Sequence, residues 1–243
     1  MALRRQSTTK AFFNTLQITS KSSSYFRENV KSLRISVDFQ DNFPSYIFNA
    51  CRGAQNLTLW TVPIIYSNTT LHSLVCIEAA LAKLRPRRVV MHLHHVLRAP
   101  YPQFHLPFFQ GITHLTIKNR WEDWTTWKDY ELLHSLTHIC FQVGLELQAG
   151  ALFQEQAFRL SHFMKALLPS CPRLRVVVLL ISFDRSPMST KEAAIDVLGI
   201  HDDRVVYCYE QRPFQYHDSH SLEALKMWEA AEAAQRKSGY PGK

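Results

Sequence analysis

The chain has 243 residues, of which 46% are hydrophobic and 20% charged, and a formal net charge of +8. That length allows one large domain or two small ones with a substantial buried core, and the composition is that of a globular chain. No run of about 18 apolar residues occurs, so no membrane-spanning helix is expected.

The start, Met1 to Lys10, has no long apolar stretch and is not expected to act as a secretory signal. It is acid-free up to Glu28, a bias it shares mildly with mitochondrial presequences. Cys51, Cys76, Cys140, Cys171 and Cys208 form no CxxC pair and are odd in number, which predicts reduced thiols in an intracellular protein, cytoplasmic or nuclear. Each is expected to serve as a small buried hydrophobe. The positive charge is uneven. Residues 79–121 hold seven Lys/Arg and no acid, and the first 34 residues hold seven Lys/Arg against Glu28.

Along the chain, residues 10–20 predict a short helix or turn leading into a first strand, with alternation at Leu16 and Ile18. Ser24 opens a short helix over 25–29. Leu33, Ile35 and Val37 alternate, as on a half-buried strand over 30–37. Pro44 suits the first turn of a helix that Gly53 would end with a left-handed cap. Leu57-Thr-Leu-Trp60 is the next strand. Leu71, Leu74, Ile77, Ala80, Leu81 and Leu84 keep helical spacing until Pro86, and a strand follows over 89–93.

Pro100, Pro102 and Pro107 mark an irregular connection to a strand over 112–117. Trp121, Trp124 and Trp127 precede a short helix to His134, and a strand over 136–143 follows. Apolar residues from 157 to 168 predict a helix closed by Pro169. Residues 174–181 read as a fully buried strand. A short helix over 191–198 ends at Gly199, a last strand runs over 204–210, and a terminal helix over 219–235 leaves 236–243 as a frayed tail.

The strand sequences repeat. Gly111-Ile-Thr-His-Leu-Thr-Ile117 returns as Ser135-Leu-Thr-His-Ile-Cys-Phe141, and Leu33-Arg-Ile35 as Leu57-Thr-Leu59, both pairs twenty-four residues apart. A strand-and-return unit recurring at that interval cannot bury its apolar face alone and does so by stacking. The expected fold class is therefore α/β: an irregular leucine-rich-repeat-like arc, a parallel sheet on one face and helices or irregular returns on the other. It would be a single domain over 1–235, with an N-terminal cap over about 10–30. The rival is a doubly wound α/β sheet, which no Gly-rich loop after the first strand supports.

Lys31-Ser-Leu-Arg-Ile-Ser36, Cys51-Arg-Gly-Ala-Gln-Asn-Leu-Thr-Leu-Trp60, Phe109-Gln-Gly-Ile-Thr-His-Leu115, Leu136-Thr-His-Ile139 and Trp228-Glu-Ala-Ala-Glu232 carry a resemblance. With these the chain resembles the F-box and leucine-rich-repeat-like proteins of mushroom-forming fungi. The resemblance implies substrate recognition within an SCF-type ubiquitin ligase. The F-box itself, with its Leu-Pro-x-Glu-like opening, is not found in this sequence.

Several groups are candidates for function. Trp121, Trp124 and Trp127 are either binding hot spots or core. Arg85, Arg87 and Arg88 head a basic stretch suited to phosphate contacts, with Tyr101 and Phe104 nearby for stacking. His92, His94 and His95, with His105, are the metal candidates, though no Cys or carboxylate completes their set. His114 and His138 occupy equivalent repeat positions. Asp184, His201, Asp202 and Asp203 form a polar loop group. No GxSxG elbow, P-loop or HExxH occurs, so a non-enzymatic protein-binding module without cofactor is expected. The alternative is a nucleic-acid binder using the basic 79–121 region. No membrane association is expected.

Overall fold

In the computed structural model the residues described are 2–3, 6–19, 23–35, 43–59, 79–93, 101–145, 151–183, 198–210 and 221–237. They are mixed α/β, with parallel strands, in two compact units. Unit 1 comprises Met1–Leu115 and Leu132–Ser135; unit 2 comprises Thr116–Glu131 and Leu136–Lys243.

Unit 1 opens with a two-residue strand, β1 (Ala2–Leu3), then α1 (Gln6–Ile18) and α2 (Ser23–Asn29). β2 (Ser32–Ile35), α3 (Phe43–Ala50), β3 (Asn56–Leu59) and β4 (Arg88–Met91) follow. β1 to β4 lie side by side in chain order and all pair in parallel. The register puts Leu33, Leu57 and Val89 in one row and Ile35, Leu59 and Met91 in the next, all at most 1% exposed. Fully burying such an aliphatic side chain is worth about 1.5–3 kcal/mol, so these rows are the main attraction between repeats. Ile47, Phe48, Leu81 and Leu84 are also buried.

The stacking has a recurring backbone rung. The carbonyl just before each strand accepts two N–H groups from the next repeat. Lys31 O receives Gln55 and Asn56, Gln55 O receives Arg87 and Arg88, and Arg87 O receives Thr113 and His114, all at 2.8–3.1 Å. A carbonyl has two lone pairs, so one atom satisfies both donors. In unit 2, Thr137 O receives Arg175 and Val176 in the same way. β5 (His114–Ile117) straddles the division, its first two residues belonging to unit 1 and its last two to unit 2.

Unit 2 holds α4 (Trp121–Trp124), a 3-10 turn (Tyr130–Leu132, of which Leu132 belongs to unit 1), β6 (His138–Leu145), α5 (Ala151–Ser170), β7 (Val176–Phe183), β8 (Val205–Glu210) and α6 (Ser221–Lys237). β6, β7 and β8 are adjacent and parallel. Helices cover both faces of these strands. On one face Phe141 of β6 packs with Phe163 of α5 (5.4 Å) and Trp124 of α4 (4.5 Å). On the other, Trp228 and Ala231 of α6 pack on Cys140, Val176 and Val178, with Leu180, Val206, Cys208 and Met227 around them. Burial on both sides is why β7 reads Val-Val-Val-Leu-Leu-Ile without alternation.

Several expectations need correction. The sequence predicted one sheet face free of helices, whereas α6 covers that face in unit 2, because its residues there are apolar. Leu16 and Ile18 do not enter a strand. Phe12, Phe13 and Leu16 share a helical face, α1 runs to Ile18, and the first strand precedes it. Gly53 is not a left-handed cap, since among the described glycines only Gly199 has positive φ (56°). The turn at Gly53 instead presses on α2, and a Cβ there would collide with the Arg27 carbonyl. Pro169 does not close its helix, which continues to Ser170. It sits one residue from the helix end, so the i→i−4 bond that its missing N–H forgoes is among the last of the helix. Residues 71–78, 191–197 and 238–243 lie outside the described residues.

Candidate functional site

The tryptophan cluster is divided by burial. Trp124 is fully buried and Trp127 is 4% exposed. Trp124 Nε1 donates to the Gln142 carbonyl at 3.3 Å, and its own carbonyl accepts the Tyr130 hydroxyl at 3.1 Å. With Phe141, Phe163 and Tyr130 it forms an aromatic core, and burial there pushes the Tyr130 phenol well above its ordinary pKa. Neither Trp124 nor Trp127 is offered to a partner; Trp121 is half-buried.

The histidines separate likewise. His92 is buried just after β4, His105 is exposed in the following loop, and His94 and His95 lie outside the described residues. His114 and His138 do share a repeat role. Each places Nδ1 beside the hydroxyl of the preceding threonine, at 2.9 Å from Thr113 and 2.8 Å from Thr137. The Thr113 hydroxyl also lies 3.1 Å from Arg87 O, the carbonyl that accepts the Thr113 and His114 N–H groups. His138 differs. Its Nε2 lies 3.1 Å from the Glu232 carboxylate of α6, an acceptor only, and its ring meets Trp228 edge-on at 5.5 Å. The Thr-His repeat thus serves as a rung lock at His114 and as an anchor for α6 at His138.

Of the polar loop group, Asp202 is tied to Arg204. The guanidinium Nε and Nη2 donate to its two oxygens at 2.9 and 2.8 Å, and Nη1 donates to Leu168 O at 2.9 Å. Hydrogen bonding to Arg204 holds the Asp202 carboxyl below its ordinary pKa. His201 and Asp203 are exposed, and Asp184 is outside the described residues. This is a structural clamp between the start of β8 and the end of α5. Cys51, Cys140 and Cys171 are buried and Cys208 half-buried, all free thiols; Cys76 is outside the described residues. Desolvation raises Cys51 to about 11 and also raises Cys171 and Cys208. These are not reactive nucleophiles.

Unit 1 presents its strand starts, whereas further along the polar strand face Arg34 and Thr58 are buried, each 6% exposed. Opposite the aliphatic rows, the register aligns Ser32, Asn56 and Arg88, and then Arg34, Thr58 and Val90. Asn56 Nδ2 donates to Ser32 Oγ across the strands at 2.9 Å. Arg85, Arg87 and Arg88 are all exposed. Arg85 Nη1 donates to the Ala82 and Leu84 carbonyls, capping a helical turn, while the Arg87 backbone forms the rung described above. In unit 2 the equivalent strand positions are Cys140 and Val178, apolar and under α6.

One further feature carried no sequence signal. Thr116 Oγ1 and Gln142 Oε1 are buried polar atoms without a hydrogen bond, each a cost of about 1–3 kcal/mol. They alternate with apolar neighbours as any half-buried strand does, so burial could not be read from the pattern.

Comparison with known proteins finds no matching family, curated protein or solved structure. Among the described residues no helix is long and apolar enough to cross a membrane, and no group of three His, Cys, Asp or Glu side chains is placed to hold a metal ion.

Proposed function

We propose that the chain is a non-enzymatic protein-interaction scaffold, its strand-and-return units forming an irregular leucine-rich-repeat-like arc. One observation carries this reading: the strands of unit 1 bury one face in aliphatic rows and begin the other with a polar row, half-buried Ser32 and Asn56 bonded to each other and exposed Arg88. A row of donors and acceptors fixed by strand register is a preorganised surface that loses little side-chain freedom on binding. A photo-crosslinker placed at Asn56 should capture one stoichiometric protein from the native source, and the same crosslinker at Phe158 on α5 should not. Equal capture at both sites, or none at Asn56, would count against the scaffold.

A finer version, the substrate-recognition region of an F-box-type ubiquitin ligase receptor, draws on the sequence resemblance alone. It requires an F-box in the full gene product, and failure of that product to bind an SCF adaptor would end it. A second reading, a nucleic-acid binder using 79–121, is favoured by the exposure of Arg85, Arg87 and Arg88.

A further inference from the structure

The two units differ sharply in charge. Unit 1 contains thirteen Lys/Arg against four Asp/Glu, and unit 2 fifteen against sixteen. Unit 1 therefore carries the whole net positive charge of the chain. Among its described residues Glu28 is the one acid, facing nine Lys/Arg.

Eight of those nine are exposed, and all but Lys10 lie at the helix-to-strand turns or the residues that flank them: Arg27, Lys31, Arg52, Lys83, Arg85, Arg87 and Arg88. The backbone rungs stack these turns in register, 29–31 under 51–55 under 83–88, with Gly53 pressed on Arg27. Adjacent strands are about 4.8 Å apart, so Lys31 and Arg87, two rungs apart, start about 10 Å from each other. That is about one Debye length at moderate salt, and the repulsion along the ridge is only partly screened.

Capping accounts for part of this. Helix C-termini favour a cation in the last turn, and Arg52, bonded to Asn49 Oδ1 at 2.9 Å, and Arg85, on Ala82 and Leu84, serve that role. Lys31, Arg87 and Arg88 lie beyond the helix ends, and capping does not explain them.

We propose that this ridge of stacked turns is a docking site for an acidic polypeptide segment of a partner protein. The proposal rests on the scaffold reading and names the chemistry of its partner. Five of the seven cations are arginines, whose planar forks pair bidentately with carboxylates. Arg52 and Arg85 are already oriented by their bonds to the chain. Binding a single-stranded nucleic acid would call for exposed aromatics among the cations. Among the described residues of unit 1 the exposed aromatics are Tyr25, Tyr46 and Tyr101, none of them between the stacked cations at 31, 52 and 83–88.

The test is fluorescence anisotropy on the full chain with a labelled oligoglutamate peptide and a single-stranded oligothymidylate of equal charge. The peptide should bind more tightly than the oligonucleotide, and its affinity should fall at least about tenfold between 50 and 200 mM salt. Arg85→Glu/Arg87→Glu/Arg88→Glu should lower peptide affinity at least about tenfold. Arg159→Glu/Lys165→Glu on α5 should not. The milder Arg87→Gln/Arg88→Gln keeps the Arg85 cap, and a weaker loss with an unchanged circular dichroism spectrum would support the ridge without a folding defect. Tighter binding of the oligonucleotide, no binding of either probe, or equal peptide binding by the reversed variants would overturn it. A partner captured at Asn56 that binds Arg85→Glu/Arg87→Glu, which leaves Arg88 in place, as well as the native chain would overturn the ridge and leave the scaffold standing.

Discussion

At the residue scale, tryptophan spacing and tryptophan burial turned out to be separate matters. Three tryptophans at three-residue intervals enter a short helix and a turn, and Trp124 alone ends fully enclosed, with its indole N–H satisfied by Gln142 O. Trp124→Ala should cost about 3–5 kcal/mol in urea denaturation, whereas Trp121→Ala, at a half-buried site, should cost under about 1 kcal/mol. Cys51 gives a pH prediction. Burial raises its thiol from 9.0 to about 11. The folded state holds this proton more tightly, so its contribution to stability is complete below about 9 and is lost as pH rises through about 11. Stability measured by denaturant should decline in that window, and Cys51→Ala should flatten the decline. At pH 8 iodoacetamide should modify Cys51 only after unfolding, as peptide mapping would report.

At the element scale, two contacts hold the elements in place in ways the sequence did not announce. Gly53 lets the turn after α3 press on the last turn of α2, and Gly53→Ala would push a methyl into the Arg27 carbonyl. The backbone there cannot yield without breaking the Lys31 rung, so a loss of about 2–4 kcal/mol is expected in thermal or urea unfolding. In unit 2, α6 lies on Cys140, Val176 and Val178, with Glu232 on His138 and Gln235 Nε2 donating to the Arg175 and Asp203 carbonyls at 2.8 and 3.1 Å. Removing 221–243 would uncover an apolar strand face. The truncated chain should bind a hydrophobic dye strongly and associate in sedimentation, whereas a chain that stays monomeric and dye-free would mean α6 is a dispensable cover.

For the whole molecule, charge is partitioned between units rather than along one continuous segment. The sequence marks residues 79–121 and the first 34 residues as basic, and the fold stacks parts of both into the same turns. Arg87 reaches Lys31 through Gln55 by two backbone rungs, across a sequence gap no local pattern reports. Arg85→Glu/Arg87→Glu/Arg88→Glu should leave a cation-exchange column at lower salt than an equal charge change at Arg159, Lys165 and Arg173 of unit 2, because column retention follows local patches more than net charge.

By itself the sequence determined the strands from β2 onward, since Leu33/Ile35, Leu57/Leu59 and the paired Thr-His motifs encode side-chain alternation and repeat identity within a few residues, whereas β1 and the helix over Leu16 and Ile18 were not legible. It also determined that α5 forms, through its apolar spacing. The covering of one strand face by α6, the close approach at Gly53, the enclosure of Trp124 and the gathering of seven cations on one edge were decided by tertiary structure. Each depends on which distant segment arrives as a neighbour. Local periodicity describes one element's faces, and only packing settles what those faces meet.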